Sequence, residues 1–388
     1  MDSLIHHLQC TACGNVYPDD LEHQSCTECR KPLEVRYDLR PSAASLPRAW
    51  SGRGAYLWRY RELLPLREAR NLVTLGEGCT PLLRVPRWER QFRLHRVFVK
   101  DEGQNPTGSF KARGMAVVVA KAKEMGAKRI ALATLGNAGV AAAAYAAAAR
   151  LKAHVFMPSD TPEAFSSECE HYGAAVHRVD GALDHAAMVM SQDKEARRAY
   201  NVGTFRQPYR LEGKKTMGFE LWEQMDGNLP DIILYPTGSG TGIAALWRAF
   251  SELEEAGMLK NGKKPRLVAV QPDGCAPIVK AFREKAAQTE RWENPETIAL
   301  GLRVPSPLGD TLALHALYDS DGFALSVSDY EIRQAMREMA AGAGVFPAPE
   351  GAATLAALRM LQESEKIPSS ASVVLINAAT GDRYVELL

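Results

Sequence analysis

The stretch Asn105-Pro-Thr-Gly-Ser-Phe-Lys111 sets one lysine behind a turn-forming Asn-Pro pair, a glycine and a serine. Ahead of it lies the helix-forming run Lys111 to Ala122, interrupted by Gly114. This pattern predicts a lysine at the start of a helix, beside N–H groups without intrahelical partners and at the positive end of the helix dipole. A positive field disfavours the ammonium form, and a lysine with a lowered pKa can condense with an aldehyde. Alone, a Ser-Xaa-Lys is ordinarily an exposed helix-start residue. Two further segments change its meaning.

The first is Leu234-Tyr-Pro-Thr-Gly-Ser-Gly-Thr-Gly-Ile243. The apolar run Asp231 to Tyr235 reads as a buried strand and Ile243 to Glu254 as the helix after it. Between them stand Gly238, Gly240 and Gly242, with hydroxyls at Thr237, Ser239 and Thr241. Such a turn lets backbone N–H groups converge on a phosphate at a helix N-terminus. It lacks the Gly-Lys-Ser/Thr ending of a nucleotide P-loop and the spacing of the dinucleotide fingerprint. By itself it is equally a tight structural loop; with the lysine segment it points to a phosphate that also carries an aldehyde. The second is Ala131-Leu-Ala-Thr-Leu-Gly-Asn137-Ala-Gly-Val140, in which a strand from Arg129 to Thr134 leads through a turn to an alanine-rich helix, Val140 to Arg150. A helix cap accounts for Asn137, but not for a helix so small-sided.

Together these stretches resemble the pyridoxal-phosphate enzymes of the tryptophan-synthase-β (fold type II) superfamily, and within it the threonine synthase family. The resemblance runs through nearly the whole chain: Thr74-Leu-Gly-Glu-Gly-Cys-Thr-Pro-Leu82, Lys100 to Lys111, Gly136-Asn-Ala-Gly139, Arg210-Leu-Glu-Gly-Lys-Lys-Thr216 and Pro236 to Gly242, with looser matches at Glu350 to Ala353 and Asn377 to Tyr384. It implies pyridoxal 5'-phosphate as cofactor and Lys111 as the Schiff-base and proton-moving residue, with Phe110 packed near the ring. It places Asn137 on the ring's phenolic oxygen, and Gly238, Ser239, Gly240, Thr241 and Gly242 on the cofactor phosphate. Arg210 matches an arginine that binds the substrate's phosphate, a role suited to a planar guanidinium; Arg206, Arg303 and Lys214 are weaker candidates for a second anion contact. The turn from Thr134 through Leu135 to Asn137 is expected to cradle the α-carboxylate. A homodimer is also implied.

The chain departs from the family pattern at Leu135, where a hydroxyl residue is usual before Gly-Asn, at Thr204-Phe205 in place of a small polar pair, and at Ala138-Gly139-Val140. Each change removes a hydrogen bond that would hold a phosphate or hydroxyl. At the pyridine nitrogen the simplest register offers Ala378, which cannot bond; Thr380 is the expected substitute, with Asp382 close by. Two activities follow. One is γ-elimination of phosphate from an O-phosphohomoserine-like substrate with water addition. The other is β-elimination (ammonia-lyase or dehydratase) or β-replacement on a serine-, threonine- or diamino-acid-like substrate. A non-catalytic relative acting as a binding protein would have no need of Lys111, Asn137 and the glycine turn together.

The four cysteines Cys10, Cys13, Cys26 and Cys29 form two Cys-Xaa-Xaa-Cys pairs with 12 residues between them. Two such knuckles can place four thiolates around one structural zinc, leaving no open position. His6, His7 and His23 lie near them; Cys79, Cys169 and Cys275 read as core or loop residues. In a cytoplasmic setting a disulfide framework is disfavoured.

The 388 residues carry 47 basic and 46 acidic side chains, a net charge of +1. No strong field therefore favours nucleic acid or an anionic membrane, and an anionic small-molecule substrate must be held by local cations. No apolar run reaches the ~18 residues of a membrane span, and the first residues lack signal-peptide character, so a soluble cytoplasmic enzyme acting on an amino acid is expected. After the ribbon, Arg40 to Pro47 reads as a linker. Alternating strands and helices then run from Val97 to Asn377 and predict an α/β fold of two three-layer αβα lobes with mostly parallel sheets. The expected divisions are residues 1–40, a zinc-ribbon-like segment; 41–205, a lobe with the lysine and Asn137; and 206–388, a lobe with the glycine turn. All three motifs fall at carboxyl ends of strands, where ligands bind in such folds, and one cleft between the lobes is expected.

Overall fold

The computed structural model describes residues 3–20, 25–39, 45–260 and 262–387. The linker residues 40–44 and His23 lie outside them. The chain forms two compact units, each discontinuous in sequence. The first takes residues 1–79, 105–216 and 255–257, and the second 80–104, 217–254 and 258–388.

The first unit holds two sheets. Near its start, Ile5–Cys10 pairs antiparallel with Val16–Tyr17 on one side and Leu33–Tyr37 on the other, burying Leu8 and Val35. Its larger sheet has four parallel strands in the order Ala175–Val179, Lys152–Pro158, Arg129–Ala133, Tyr200–Asn201. Successive side chains along a strand point to opposite faces, and both sets are covered. Ala131, Phe156 and Val179 pack with Ala186 of helix Leu183–Gln192. On the other face Val155 meets the alanine helix, Asn137–Ala149, so closely that a Cβ at Gly139 would fall 2.8 Å from Val155 Cγ1.

The second unit is built on six strands ordered Phe323–Val327, Arg266–Pro272, Ile232–Pro236, Ser372–Asn377, Arg96–Asp101, Leu82–Arg84. All neighbours are parallel except the last pair. Val97, Val99, Leu234, Val268, Val373 and Leu375 share one core with helices Asp329–Ala343 and Pro349–Glu363. Ile233, Leu267, Val374 and Ile376, which alternate with them, are buried as well, so this sheet too is covered on both faces, as continuous apolar strands require. Ser328 and Glu331 close a capping box at the start of helix Asp329–Ala343, satisfying two N–H groups reciprocally. Lys100, within the Lys100 to Lys111 match, is fully buried, its Nζ donating to Glu220 (2.8 Å), the Thr80 carbonyl (2.7 Å) and Gln224 (2.9 Å).

The α/β class and mostly parallel sheets are as the strand–helix rhythm predicts. Local boundaries differ. The alanine helix begins at Asn137 itself rather than Val140, because Gly136, at φ 129°, makes the whole turn in one residue that only glycine tolerates. The segment with Trp58 and Tyr60 is a 3₁₀ stretch, Leu57–Leu63, kinked at Tyr60. Edge strand Phe323–Val327 was not legible in the sequence.

Candidate active site

In the first unit Lys111 opens helix Lys111–Glu124. The preceding loop is pinned by Asn105, whose Oδ1 accepts from Gly78 N at 3.0 Å, and by Thr107 in the left-handed region at φ 62°. Phe110 is buried, and Lys111 Nζ sits 4.2 Å from the centre of its ring. Helix Tyr209–Gln224 crosses here. A Cβ at Gly213 would lie 1.9 Å from the Arg113 carbonyl oxygen, and one at Gly114 would lie 2.8 Å from the Arg210 carbonyl oxygen. Two glycines thus let two backbones touch. The contact brings Arg210 and Lys214, one turn apart, onto the helix that Lys111 begins, with Lys214 Nζ 5.3 Å from the Phe110 ring.

Arg210 is 4% exposed and donates through Nη1 to the Val202 carbonyl at 3.0 Å. Burial lowers its guanidinium to about 10, so it remains a cation at neutral pH. Its backbone N–H is capped by Gln207 Oε1 at 2.9 Å. Lys214 is pushed well below the ordinary lysine range, first by burial, then by Arg210 and Lys111. Among the described residues, the buried Arg210 Nε and the buried hydroxyls of Thr107 and Ser109 find no protein partner. Buried polar atoms are nearly always satisfied, so three orphans around one lysine loop suit a polar ligand.

The turn Thr134 to Asn137 leaves the carboxyl end of strand Arg129–Ala133, and the loop to Arg210 leaves that of its parallel neighbour Tyr200–Asn201. Thr134 Oγ1 accepts from Gly136 N at 3.2 Å, while Leu135 and Asn137 are half-buried. Arg206 is exposed. Sequence reasoning missed Glu77, a fully buried carboxylate accepting from Tyr145 at 2.5 Å and Leu75 N at 2.9 Å. Its place in the Thr74 to Leu82 match was the available signal.

In the second unit, the glycine turn follows strand Ile232–Pro236 and opens helix Thr241–Glu255. A Cβ at Gly238 would meet the Gly301 oxygen at 2.7 Å; one at Gly240, whose φ is 82°, would meet the Gly309 oxygen at 2.6 Å. Ser239 and Thr241 turn their hydroxyls to each other at 3.3 Å. The N–H groups at a helix start have no intrahelical acceptors, so the turn offers an anion cradle. Thr380 follows Ser372–Asn377, the strand beside Ile232–Pro236, so both turns leave the same edge of the sheet. Its hydroxyl donates to Asp382 Oδ2 at 2.7 Å.

Cys10, Cys13, Cys26 and Cys29 gather with all sulfurs within 4.8 Å of one another. The separations of 3.4 Å (Cys10–Cys29), 3.5 Å (Cys13–Cys26) and 3.6 Å (Cys13–Cys29) approach the ~3.8 Å edge of a tetrahedron with ~2.3 Å Zn–S bonds. Backbone N–H groups of Cys13 and Cys29 point at Cys10 and Cys26 sulfurs at 3.5 Å. None of the four is in a disulfide, and the donor set fits zinc.

Residues 73–378 match the family model described as pyridoxal-phosphate dependent enzyme. The chain belongs to this family. Threonine synthase of Methanocaldococcus jannaschii is 35% identical over 379 residues, covering 96% of this chain and 92% of that protein. Threonine synthase of Synechocystis sp. is 38% identical over 325 residues, covering 83% and 81%. Among solved structures, diaminopropionate ammonia lyase from Escherichia coli superposes with a TM-score of 0.70 at 19% identity, over 89% of this chain and 90% of that one, a likeness of fold. This pyridoxal-phosphate enzyme has fold type II and is a lyase related to threonine synthases. Among its described residues no helix is long and apolar enough to cross a membrane.

Proposed function

We propose that the enzyme eliminates phosphate from the γ-carbon of an O-phosphohomoserine-like amino acid and adds water at Cβ. The observation that carries this reading is Arg210: a buried guanidinium with an unpartnered Nε, on the helix that crosses the start of the Lys111 helix. A cation buried without its full complement of acceptors is costly, and an anionic substrate group offsets that cost.

Bound pyridoxal phosphate supplies the electron sink for bond breaking at Cα. Lys111 would hold the cofactor through its aldehyde, and its amine, when free, would move protons at Cα and Cβ. Phe110 packs near the ring. Asn137 would donate to the ring's phenolic oxygen, while Gly238, Ser239, Gly240, Thr241 and Gly242 would bind the cofactor phosphate. Thr134 and Leu135 frame the substrate carboxylate, and Arg210 holds the leaving phosphate. The Thr380 hydroxyl, which donates to Asp382 in the structure, would serve the pyridine nitrogen. The four thiolates hold a structural zinc.

Leu135 and Phe205 favour a second reading, β-elimination or β-replacement, since neither side chain can hydrogen-bond a phosphate. Products separate the two. O-phosphohomoserine should yield phosphate and threonine, whereas release of ammonia and a 2-oxoacid from serine, threonine or diaminopropionate, with no turnover of O-phosphohomoserine, would establish the second. Arg210→Ala should lower kcat/KM by about 2–4 kcal/mol with cofactor retained, and Arg210→Lys should rescue it poorly, lacking the planar fork.

A further inference from the structure

Thr107 combines two features that are unfavourable in the free protein. It stands third in a four-residue turn that Gly108 N closes on the Asn105 carbonyl at 2.9 Å, with φ 62° and ψ 20°. A positive φ at that position suits glycine or asparagine. Among the described residues Thr107 is the one β-branched side chain with a positive φ, a conformation that L-residues of this shape avoid. Other such residues close helices, as Arg93 and Arg150 do, whereas Thr107 lies four residues before Lys111. The second feature is its hydroxyl, buried without a protein partner. Ser109, 1% exposed, leaves another buried and unpartnered hydroxyl on the same loop. Glycine at 107 would relieve the backbone, and valine would avoid burying a hydroxyl. A residue that serves the free protein worse than either points to a ligand.

The surroundings of the loop indicate which ligand. The turn Pro106–Gly108 packs on helix Asn137–Ala149. Asn105, first in the turn, accepts from Gly78 N, and neighbouring Glu77 accepts from Tyr145 of the same helix. The start of that helix has N–H groups without intrahelical acceptors, at the positive end of its dipole. A negative group favoured there is also the acceptor that the Thr107 hydroxyl lacks. We propose that Thr107 donates its hydroxyl to the α-carboxylate of the amino-acid substrate, completing the cradle of the Thr134 to Asn137 turn. The proposal rests on the reading of Lys111 and of that turn given above, and adds the residue that meets the carboxylate from the lysine loop. Arg210 is left to the substrate's other anionic group. Because the hydroxyl finds its acceptor only in the complex, its desolvation is offset on binding rather than on folding.

The test sets stability against binding. L-Threonine is the probe, because it is the product of phosphate elimination with hydration and a substrate under the second reading. Holoenzymes are titrated with L-threonine while the cofactor absorbance is followed, and urea midpoints are measured in parallel. Thr107→Val keeps the shape and loses the hydroxyl. It should have an equal or higher urea midpoint and bind L-threonine about ten- to a hundredfold more weakly, the loss of one hydrogen bond to a charged group. Thr107→Gly, which frees the backbone as well, should behave alike, and Thr107→Ser should restore most of the affinity. For L-threoninamide, whose neutral carbonyl accepts a weaker bond, the penalty of Thr107→Val should shrink at least ~3-fold. Lower urea midpoints in both Thr107→Val and Thr107→Gly would make the side chain a structural one and overturn the proposal. Unchanged L-threonine affinity, or an equal penalty for the amide, would overturn it too. Each of these outcomes leaves the reading of Lys111 standing, whereas a wild-type holoenzyme whose absorbance does not respond to L-threonine removes that reading and the proposal together.

Discussion

Gly213→Ala probes the helix crossing that places Arg210 and Lys214, because two opposing terms can be weighed from the structure. Alanine in a helix interior is favoured over glycine by about 0.8–1.0 kcal/mol. Against that, the new methyl would stand 1.9 Å from the Arg113 oxygen, 2.6 Å from its carbonyl carbon and 2.9 Å from Gly114 Cα. Ordinary C···O contacts begin near ~3.3 Å, so the helices must part by roughly 1.4 Å. All three atoms belong to backbone, so no rotamer change relieves the clash, and the upper part of the ~1–3 kcal/mol overpacking range applies. The net expectation is a loss of about 2 kcal/mol. Gly114→Ala meets its nearest atom at 2.8 Å; the helices need part by only roughly half an ångström, and the two terms nearly cancel. Urea denaturation followed by far-UV circular dichroism should therefore rank wild type and Gly114→Ala together and Gly213→Ala well below. Sulfate titration of the folded Gly213→Ala protein should show weakened anion binding as Arg210 is displaced. A Gly213→Ala protein as stable as wild type, with unchanged anion affinity, would refute the close crossing.

Other expectations follow from single groups. Borohydride reduction and peptide mapping should find the pyridoxyl group on Lys111, and Lys111→Ala should stay folded without turnover; a label on another lysine would remove the basis of the site. Elemental analysis should give about one zinc per chain; metal removal should loosen the N-terminal strands and weaken anion binding more than cofactor retention, since Tyr37 donates to Glu212 on the turn carrying Arg210 and Lys214. Chelation that leaves both unchanged would refute this link. Lys100→Met strands Glu220 among buried groups and should cost about 3–5 kcal/mol, whereas adding Glu220→Leu should recover much of it; denaturation midpoints of the single and double variants decide.

The sequence displays the parts of this site far better than their support. The settings of Lys111 and of the glycine turn were legible because turn-forming residues stand there in unbroken order, and each falls where a strand or loop gives way to a helix. The parallel sheets were legible from runs such as Ile232 to Tyr235 and Val373 to Ile376, apolar without alternation. What the sequence withheld was pairing over distance. Gly114 and Gly213 look like weak spots in two unrelated helices until the crossing shows that each makes room for the other. Glu77 and Tyr145 are 68 residues apart, with no local pattern to join them. Lys214 and Lys215 are adjacent, alike in type and both buried; what the sequence could not show is that Lys215 pairs with Glu212 while Lys214 lies against the Phe110 ring.

The strand order of the second unit sets a schedule for synthesis. Arg96–Asp101 has its antiparallel neighbour Leu82–Arg84 almost at once, but its parallel neighbour is Ser372–Asn377. At ~5–20 residues per second the ribosome needs on the order of tens of seconds to deliver that strand. During that time a strand whose Val97 and Val99 will be fully buried presents one unpaired edge, the kind of template on which other chains pair wrongly. The first unit's four-stranded sheet, spanning residues 129–201, can close long before. Newly made chains should therefore depend on chaperone cover for the early strand of the second unit, and interruptions of translation past residue 101 should be a main source of aggregate.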